Sequence, residues 1–160
     1  MKTRLYAVRG IKRLRSTSFR TFVLYPLIVT ASEWLLNSGR LRIQPFCAPL
    51  LLWGYLQYRL VANYRIRYGG GGPGMETPPE RLVTSGPFAW CRNPMYLGHI
   101  VFLLGLTLTL QSAFAAVITV ATAVWFQFRV IRDETRLQER FGQPYDEYSA
   151  RVRRWIPGLF

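Results

Sequence analysis

The sequence predicts an all-α integral-membrane protein: a bundle of about four transmembrane helices in two hairpins, closed by an amphipathic C-terminal helix. Three observations carry that expectation. Half of the 160 residues are apolar. Residues 93 to 128 hold no formal charge apart from the titratable His99. Lys and Arg gather at the ends of the apolar stretches rather than inside them. A chain of 160 residues and 18.6 kDa makes one domain. Its mean hydropathy of +0.09 averages very basic with very apolar segments, so only their distribution is informative.

Residues 1–20 form a basic N-terminal segment. Its charged region is long and no small-residue cleavage site follows the first apolar run, so it does not read as a cleavable signal. Residues 21–62 are expected to hold the first hairpin, with apolar stretches at 21–36 and 43–58 joined by the polar turn Asn37-Ser38-Gly39-Arg40. Glu33, Pro26, Pro45 and Pro49 interrupt these stretches, which a membrane helix tolerates when its neighbours satisfy the freed carbonyls. Residues 63–92 read as a loop. Its run Gly69-Gly70-Gly71-Gly72-Pro73-Gly74 has linker composition, and without a following Lys-Ser or Lys-Thr it is no phosphate-binding loop.

Residues 93–130 are expected to fold back on themselves. One helix over the 36 charge-free residues 93–128 would reach roughly 54 Å, far beyond a hydrocarbon core of about 30 Å. Gln111-Ser112 is the polar break, and Ser112 can cap the helix that follows, giving arms at 94–110 and 112–129. Residues 131–160 are expected to form a C-terminal helix outside the membrane.

The net charge of +13 and the pI near 10.7 call for an anionic surface. Seven Lys or Arg lie in residues 1–20, four in 63–92 and seven in 129–160, whereas only Arg40 and Arg42 occupy the opposite turns. The positive-inside rule then places both termini and the middle loop in the cytoplasm, as in a bacterial inner membrane. Lipid headgroups account for the charge, with Arg151, Arg153, Arg154 and Trp155 as expected contacts. Nucleic-acid binding is excluded as the reading, because the aromatic residues fall in or beside the spans rather than among a basic stripe. Cys47 and Cys91 make neither a disulfide framework nor a zinc site, and no metal is expected.

Two polar constellations flank the charge-free stretch. The first runs from Leu82 to His99 and contains Gly86-Pro87-Phe88 and Arg92-Asn93-Pro94-Met95-Tyr96-Leu97-Gly98. Pro94 suits the first turn of a helix with Asn93 as its cap. Tyr96 and His99, three residues apart, share a helical face, and Gly98 leaves room for a close approach. These residues could build a pocket; equally, Arg92 and Trp90 could anchor the interface, Gly98 could serve packing, and His99 could be a satisfied buried group. The second constellation is Asp133-Glu134, the acids nearest the membrane exit, with Arg129, Arg136 and Arg140 at helical spacings. It reads either as surface ion pairs or as a carboxylate recess.

The block Arg92-Asn93-Pro94-Met95-Tyr96-Leu97-Gly98 precedes Asp133-Glu134, Phe141-Gly142, Tyr145, Tyr148 and Arg153-Arg154-Trp155-Ile156-Pro157 by a fixed order and distance. In this it resembles the superfamily of isoprenylcysteine carboxyl methyltransferases and phospholipid methyltransferases, over about residues 82–157. The resemblance implies a small helical membrane enzyme that uses S-adenosylmethionine on the cytoplasmic side. It further implies that Arg92, Asn93, Pro94, Tyr96, Gly98 and His99 line the cofactor pocket, with backbone contacts from Leu82 and Val83 and with Asp133 and Glu134 completing it. Asn93 stands where many members carry His, so no imidazole acts there. The acidic pair is Asp-Glu rather than Glu-Glu, which favours Glu134.

The implied chemistry, with Arg92, Glu134 and His99 as its catalytic residues, is methyl transfer to a lipophilic or small-molecule acceptor. Glu134 would accept hydrogen bonds from the cofactor's ammonium or ribose, and Arg92 would pair with its carboxylate. Tyr96 and His99 would shape the adenosine side. A carboxylate acceptor needs no base, whereas an amine would, for which His99 is the expectation. Phe102, Phe114, Trp125 and Phe126 could admit an apolar tail, or simply form core. Sterol-reductase C-terminal regions resemble the same Arg-x-Pro-x-Tyr-x-Gly block, so an NADPH-dependent reductase is the competing activity, and a non-catalytic membrane scaffold the competing class.

Overall fold

The computed structural model describes residues 16–72 and 77–155, and among them every regular element is helical. Most of the basic N-terminal segment, the Pro73-Gly74 portion of the glycine run and the closing Ile156-Pro157 lie outside the described residues.

The first rod, α1, begins at Thr17–Phe19, passes through a π-helical segment at Arg20–Leu24 and continues as Tyr25–Leu36. A short 3-10 turn at Pro45–Cys47 leads into α2, Ala48–Gly69. The one-turn α3 spans Pro87–Trp90, α4 Pro94–Leu110, α5 Ala113–Phe141 and α6 Gln143–Arg151.

The predicted second hairpin is present, with the break where the residues place it. Gln111 takes the left-handed conformation that ends α4 (φ 48°), and the Ser112 hydroxyl accepts the Ala115 N–H at 3.0 Å, capping α5. Ser112 also donates to Glu33 Oε1 at 2.5 Å, and Asn37 Nδ2 donates to Glu33 Oε2 at 2.9 Å. The awkward acid of α1 thus fastens one hairpin to the turn of the other.

Two expected boundaries move. The second helix covers Ala48–Gly69 rather than 43–58, because Pro49 sits in its first turn and nothing stops it before Gly70, whose φ of 70° suits only glycine. The expected loop therefore starts late. Likewise α5 does not end near residue 129. With neither Pro nor Gly before Gly142 (φ 58°), and with Asp133 paired to Arg129 at 3.7 Å and Arg136 at 3.6 Å along the same helix, it runs on to Phe141. The C-terminal part is then the nine-residue α6 plus an extended segment, not one helix.

Of the described helices, one is long and apolar enough to cross a membrane: Ala113–Phe141, whose most apolar 18-residue stretch has a mean hydropathy of 1.7. Only 22% of its apolar window is buried, so it is not the enclosed core helix of a water-soluble fold. Its outer face carries Val117, Val120, Val124 and Phe128, all exposed. Pro94–Leu110 is apolar but has 17 residues, and α2 is diluted by Arg59, Arg65 and Arg67.

The deepest contact is between α2 and α4, and glycine makes it possible. A Cβ on Gly98 would lie 2.9 Å from both the Gly54 carbonyl oxygen and the Tyr58 nitrogen, and one on Gly105 would lie 2.8 Å from the Leu51 nitrogen. The two backbones touch along this line, which fixes the start of α4 against the middle of α2. Gly54→Ala is expected to destabilise the fold by about 1–3 kcal/mol, since backbone rather than a yielding side chain opposes the added methyl. Denaturant unfolding of the detergent-solubilised protein measures it, and an unchanged midpoint would contradict this packing.

Candidate functional site

A cavity of about 320 Å³ opens at the end of the bundle where α4 begins and α5 emerges. Its wall includes Leu82, Val83, Arg92, Asn93, Pro94, Tyr96, Asp133 and Glu134, so eight of the ten residues named from the sequence come together.

Local sequence explains the arrangement. Gly86, at φ 58°, turns the chain against the Tyr64 ring, and Pro87 starts α3. Pro94 starts α4, leaving Cys91-Arg92-Asn93 as an extended bridge between two proline-initiated helices. Asn93 holds the cap position of α4 but its side chain does not cap. Its amide nitrogen donates to Glu134 Oε1 at 3.1 Å and to the Arg154 carbonyl at 3.2 Å.

Glu134 is the centre of the site. Only 8% of it is exposed, although it sits on a helix beyond the apolar stretch. Arg92 Nε lies 3.5 Å from Oε1, and Arg154 donates through Nε at 3.1 Å and Nη2 at 2.9 Å to Oε2. A buried carboxylate requires such partners, because desolvating an unpaired charge costs several kcal/mol. Asp133 takes a different part: its Oδ2 accepts the Tyr96 hydroxyl at 2.5 Å. Tyr96 stacks edge-on against Phe126 and is covered by Trp155, whose Nε1 donates to Gln127 Oε1 at 2.7 Å.

Gly98 and His99 are not part of the cavity wall, contrary to the expectation from the sequence. Gly98 faces α2, and His99 is fully buried among Phe22, Tyr58 and Phe126 with Nδ1 2.9 Å from the Met95 carbonyl. Tyr96 and His99 share a broad face, yet three residues leave them about 60° apart around the axis, enough to point one at α5 and the other at α2. Phe126, also fully buried, is core rather than the lining of an entry path.

Several wall residues were not foreseen. Arg65, buried on α2, donates to the Thr77 carbonyl at 2.8 Å and the Gly72 carbonyl at 2.7 Å, holding the chain on both sides of the glycine-rich loop. Its spacing from Tyr58, Val61 and Ala62 is the readable signal that it shares their buried face. Tyr145 and Tyr148 close the cavity from α6, and the Tyr148 hydroxyl donates to the Phe88 carbonyl at 2.8 Å. Arg154 and Trp155, expected at lipid headgroups, instead face Glu134 and Gln127, whereas Arg151 and Arg153 are exposed.

Burial lifts the ionisation of this corner. It pushes the Cys91 thiol up, and it pushes Tyr148 above its ordinary value, helped by neighbouring Tyr145. Tyr145 is raised to about 12, first by burial and then by the Glu134 charge.

Comparison with known proteins places the chain in a family. The family model for phospholipid methyltransferase matches residues 64–144, which contain most of the cavity wall. The chain belongs to that family, within the superfamily that also holds the isoprenylcysteine methyltransferases. Mouse protein-S-isoprenylcysteine O-methyltransferase is 37% identical over 78 residues, 48% of this chain and 27% of that protein. The cobalt-zinc-cadmium resistance protein CzcN of Cupriavidus metallidurans is 37% identical over 141 residues, 87% of this chain and 60% of that protein. The nickel-cobalt-cadmium resistance protein NccN of Alcaligenes xylosoxydans xylosoxydans is 35% identical over 79 residues, 49% of this chain and 37% of that protein. The chain thus spans about a quarter of the mouse protein's length and under two thirds of either resistance protein.

The raised Tyr145 gives an alkaline prediction. An unfolded phenol ionises near pH 10 and this one near 12, so the native state holds the proton where the unfolded state has lost it. Stability associated with Tyr145 is complete below about pH 10 and is lost as the pH rises towards 12. Tyr145→Phe should remove the part of the tyrosinate absorbance rise centred near pH 12 and lessen the alkaline fall in melting temperature. Full tyrosine ionisation by pH 11 in the native protein would contradict the assignment.

Proposed function

We propose that this chain is an integral-membrane methyltransferase that takes its methyl group from S-adenosylmethionine and delivers it to a carboxylate or amine on a lipophilic or small-molecule acceptor. The observation that carries the reading is the buried Glu134 carboxylate set beside Arg92 in a cavity at the end of an apolar helix pair.

The residues present suit that cofactor. Glu134 offers acceptor oxygens to an ammonium or ribose, and Arg92 offers a guanidinium to a carboxylate. Leu82, Val83, Pro94 and Tyr96 give apolar and aromatic surface for the nucleoside, Asn93 fixes Glu134, and Asp133 fixes Tyr96. When bound, S-adenosylmethionine supplies a methyl group on positively charged sulfur, which an oxygen or nitrogen lone pair can take.

The chain's own contribution is positioning and the exclusion of water. Correct alignment alone is worth roughly 7–11 kcal/mol of barrier, whereas a general base adds about 10²–10⁴-fold in rate. A carboxylate acceptor is already ionised at neutral pH and needs no base. His99, walled into the helix core, plays no part in the proposal, and Gly98 acts only through packing.

The proposed setting is a single membrane domain with four spans, α1, α2, α4 and α5, and with α6 and the closing segment over the cavity. Exposed apolar side chains on α1 and α2, including Leu27, Trp34, Leu35, Leu52 and Trp53, support the first two spans. The lysine and arginine distribution supports cytoplasmic termini, and the extensive match to a bacterial relative supports a bacterial inner membrane.

Calorimetric titration of the detergent-purified protein tests the reading. Saturable binding of S-adenosylmethionine and S-adenosylhomocysteine, without binding of NADPH, is expected. Binding of NADPH alone would overturn it, and binding of none would favour a scaffold. Glu134→Gln should weaken S-adenosylhomocysteine by about tenfold or more, on the scale of a lost hydrogen bond to a charged group, while the protein stays folded. An unchanged dissociation constant would remove Glu134 from the site.

A further inference from the structure

The extended segment after α6 crosses the site by two routes. Through its backbone, Arg153 accepts the Arg92 N–H at 2.9 Å, and the Arg154 carbonyl accepts from Asn93 Nδ2 at 3.2 Å and from the Cys91 thiol at 3.4 Å. Through its side chain, Arg154 places two N–H groups on Glu134 Oε2. One residue therefore grips both halves of the cavity wall: the bridge before α4 with its carbonyl and the carboxylate of α5 with its guanidinium.

The lone-pair count of Glu134 shows what this does. An ionised carboxylate offers about four acceptor positions. Both bonds to Oε2 come from Arg154, and one bond to Oε1 comes from Asn93. The remaining acceptor capacity lies on Oε1, the oxygen nearest Arg92, and Arg92 lines the cavity whereas Arg154 does not. Arg154 thus saturates Oε2 and leaves Oε1, beside the cavity-lining Arg92, able to accept.

We propose that Arg154 is a positioning residue for the cofactor: it holds Glu134 from behind so that Oε1 is presented to the donor's ammonium or hydroxyl groups, which makes the segment after α6 an integral part of the site. The inference rests on the methyl-donor reading of the cavity. A lysine would keep the charge but not the two-pronged geometry on one oxygen, so Arg154→Lys and Arg154→Gln separate charge from shape.

The test is a double-mutant cycle on the full-length, detergent-purified protein, with S-adenosylhomocysteine affinity read by calorimetry and folding read by thermal melting. Arg154→Gln is expected to weaken binding about tenfold or more, with Arg154→Lys intermediate. In a Glu134→Gln background, Arg154→Gln should then change the dissociation constant by less than about twofold, because the group it positions is gone. A full, additive loss in that background would overturn the proposal, as would wild-type affinity in either Arg154 variant. If Glu134→Gln weakens binding and Arg154→Gln does not, the donor site stands and Arg154 falls. If Glu134→Gln has no effect, Glu134 lies outside the donor site and the proposal falls with it, whereas the donor reading itself fails only if the wild-type protein does not bind S-adenosylhomocysteine. Should Arg154→Gln not fold, Arg154→Lys decides alone: intermediate affinity supports the two-bond geometry and wild-type affinity refutes it.

Discussion

The described fold turns on one buried charge. Glu134 sits just beyond the apolar stretch of its helix, and burying its carboxylate there is costly without donors from other segments. It takes them from the bridge before α4, through Arg92 and Asn93, and from the segment after α6, through Arg154. Three stretches distant in sequence meet at one side chain. Removing a single partner of such a cluster costs about 3–5 kcal/mol, so its geometry is enforced by the penalty for leaving any member unpaired.

That cluster needs a rigid backing, which the α2–α4 contact provides. Gly54, Gly98 and Gly105 let the two backbones touch, and His99 and Phe126 fill the space beside them. Because α4 is seated along its length, its first turn is fixed on α2, where Gln57 donates to the Pro94 carbonyl, and Tyr96 is held against α5. The Tyr96–Asp133 hydrogen bond then joins the beginning of one arm of the hairpin to the far part of the other. The two acids of the doublet thus differ, Asp133 fixing a wall through Tyr96 and Glu134, on the proposed reading, presenting an oxygen.

Much of this was readable in the sequence, for identifiable reasons. The α4–α5 turn was legible because its polar break and its cap are adjacent residues, and local chemistry decides both. The two halves of the site were legible only through the family resemblance, because proline, asparagine and acidic residues beside a charge-free stretch fit interfacial anchoring and surface ion pairs as well as a pocket. His99 was misplaced because residue spacing says that two side chains share a face and not how wide that face is. Arg154 was misplaced because its partner lies twenty residues away, around the turn at Gly142, and a basic tail carries no mark distinguishing a lipid headgroup from a buried carboxylate. The length of α2 was hidden by Arg59, Arg65 and Arg67, which read as the end of an apolar run. Arg65 remains helical because its guanidinium finds backbone carbonyls, and those are contributed by a loop that folds back over it.

The position of the cavity bears on how two unlike molecules could meet there. On α5 the exposed apolar face runs through Val117, Val120, Val124 and Phe128, and polar side chains begin at Arg129. Asp133 and Glu134 follow within about one turn, so the cavity lies at the level where the apolar face stops. A polar nucleoside can approach that level from water, and an acceptor with an apolar tail can reach it while the tail stays among lipid chains. Neither has to cross the other's medium. A site deeper in the bundle would require the donor to shed its hydration, and one farther out would require the tail to leave lipid, at about 0.8 kcal/mol for each methylene exposed. On the proposed reading, the depth of Glu134 is the compromise between those two costs. The surrounding arginines offset the cost of burying a carboxylate at that depth.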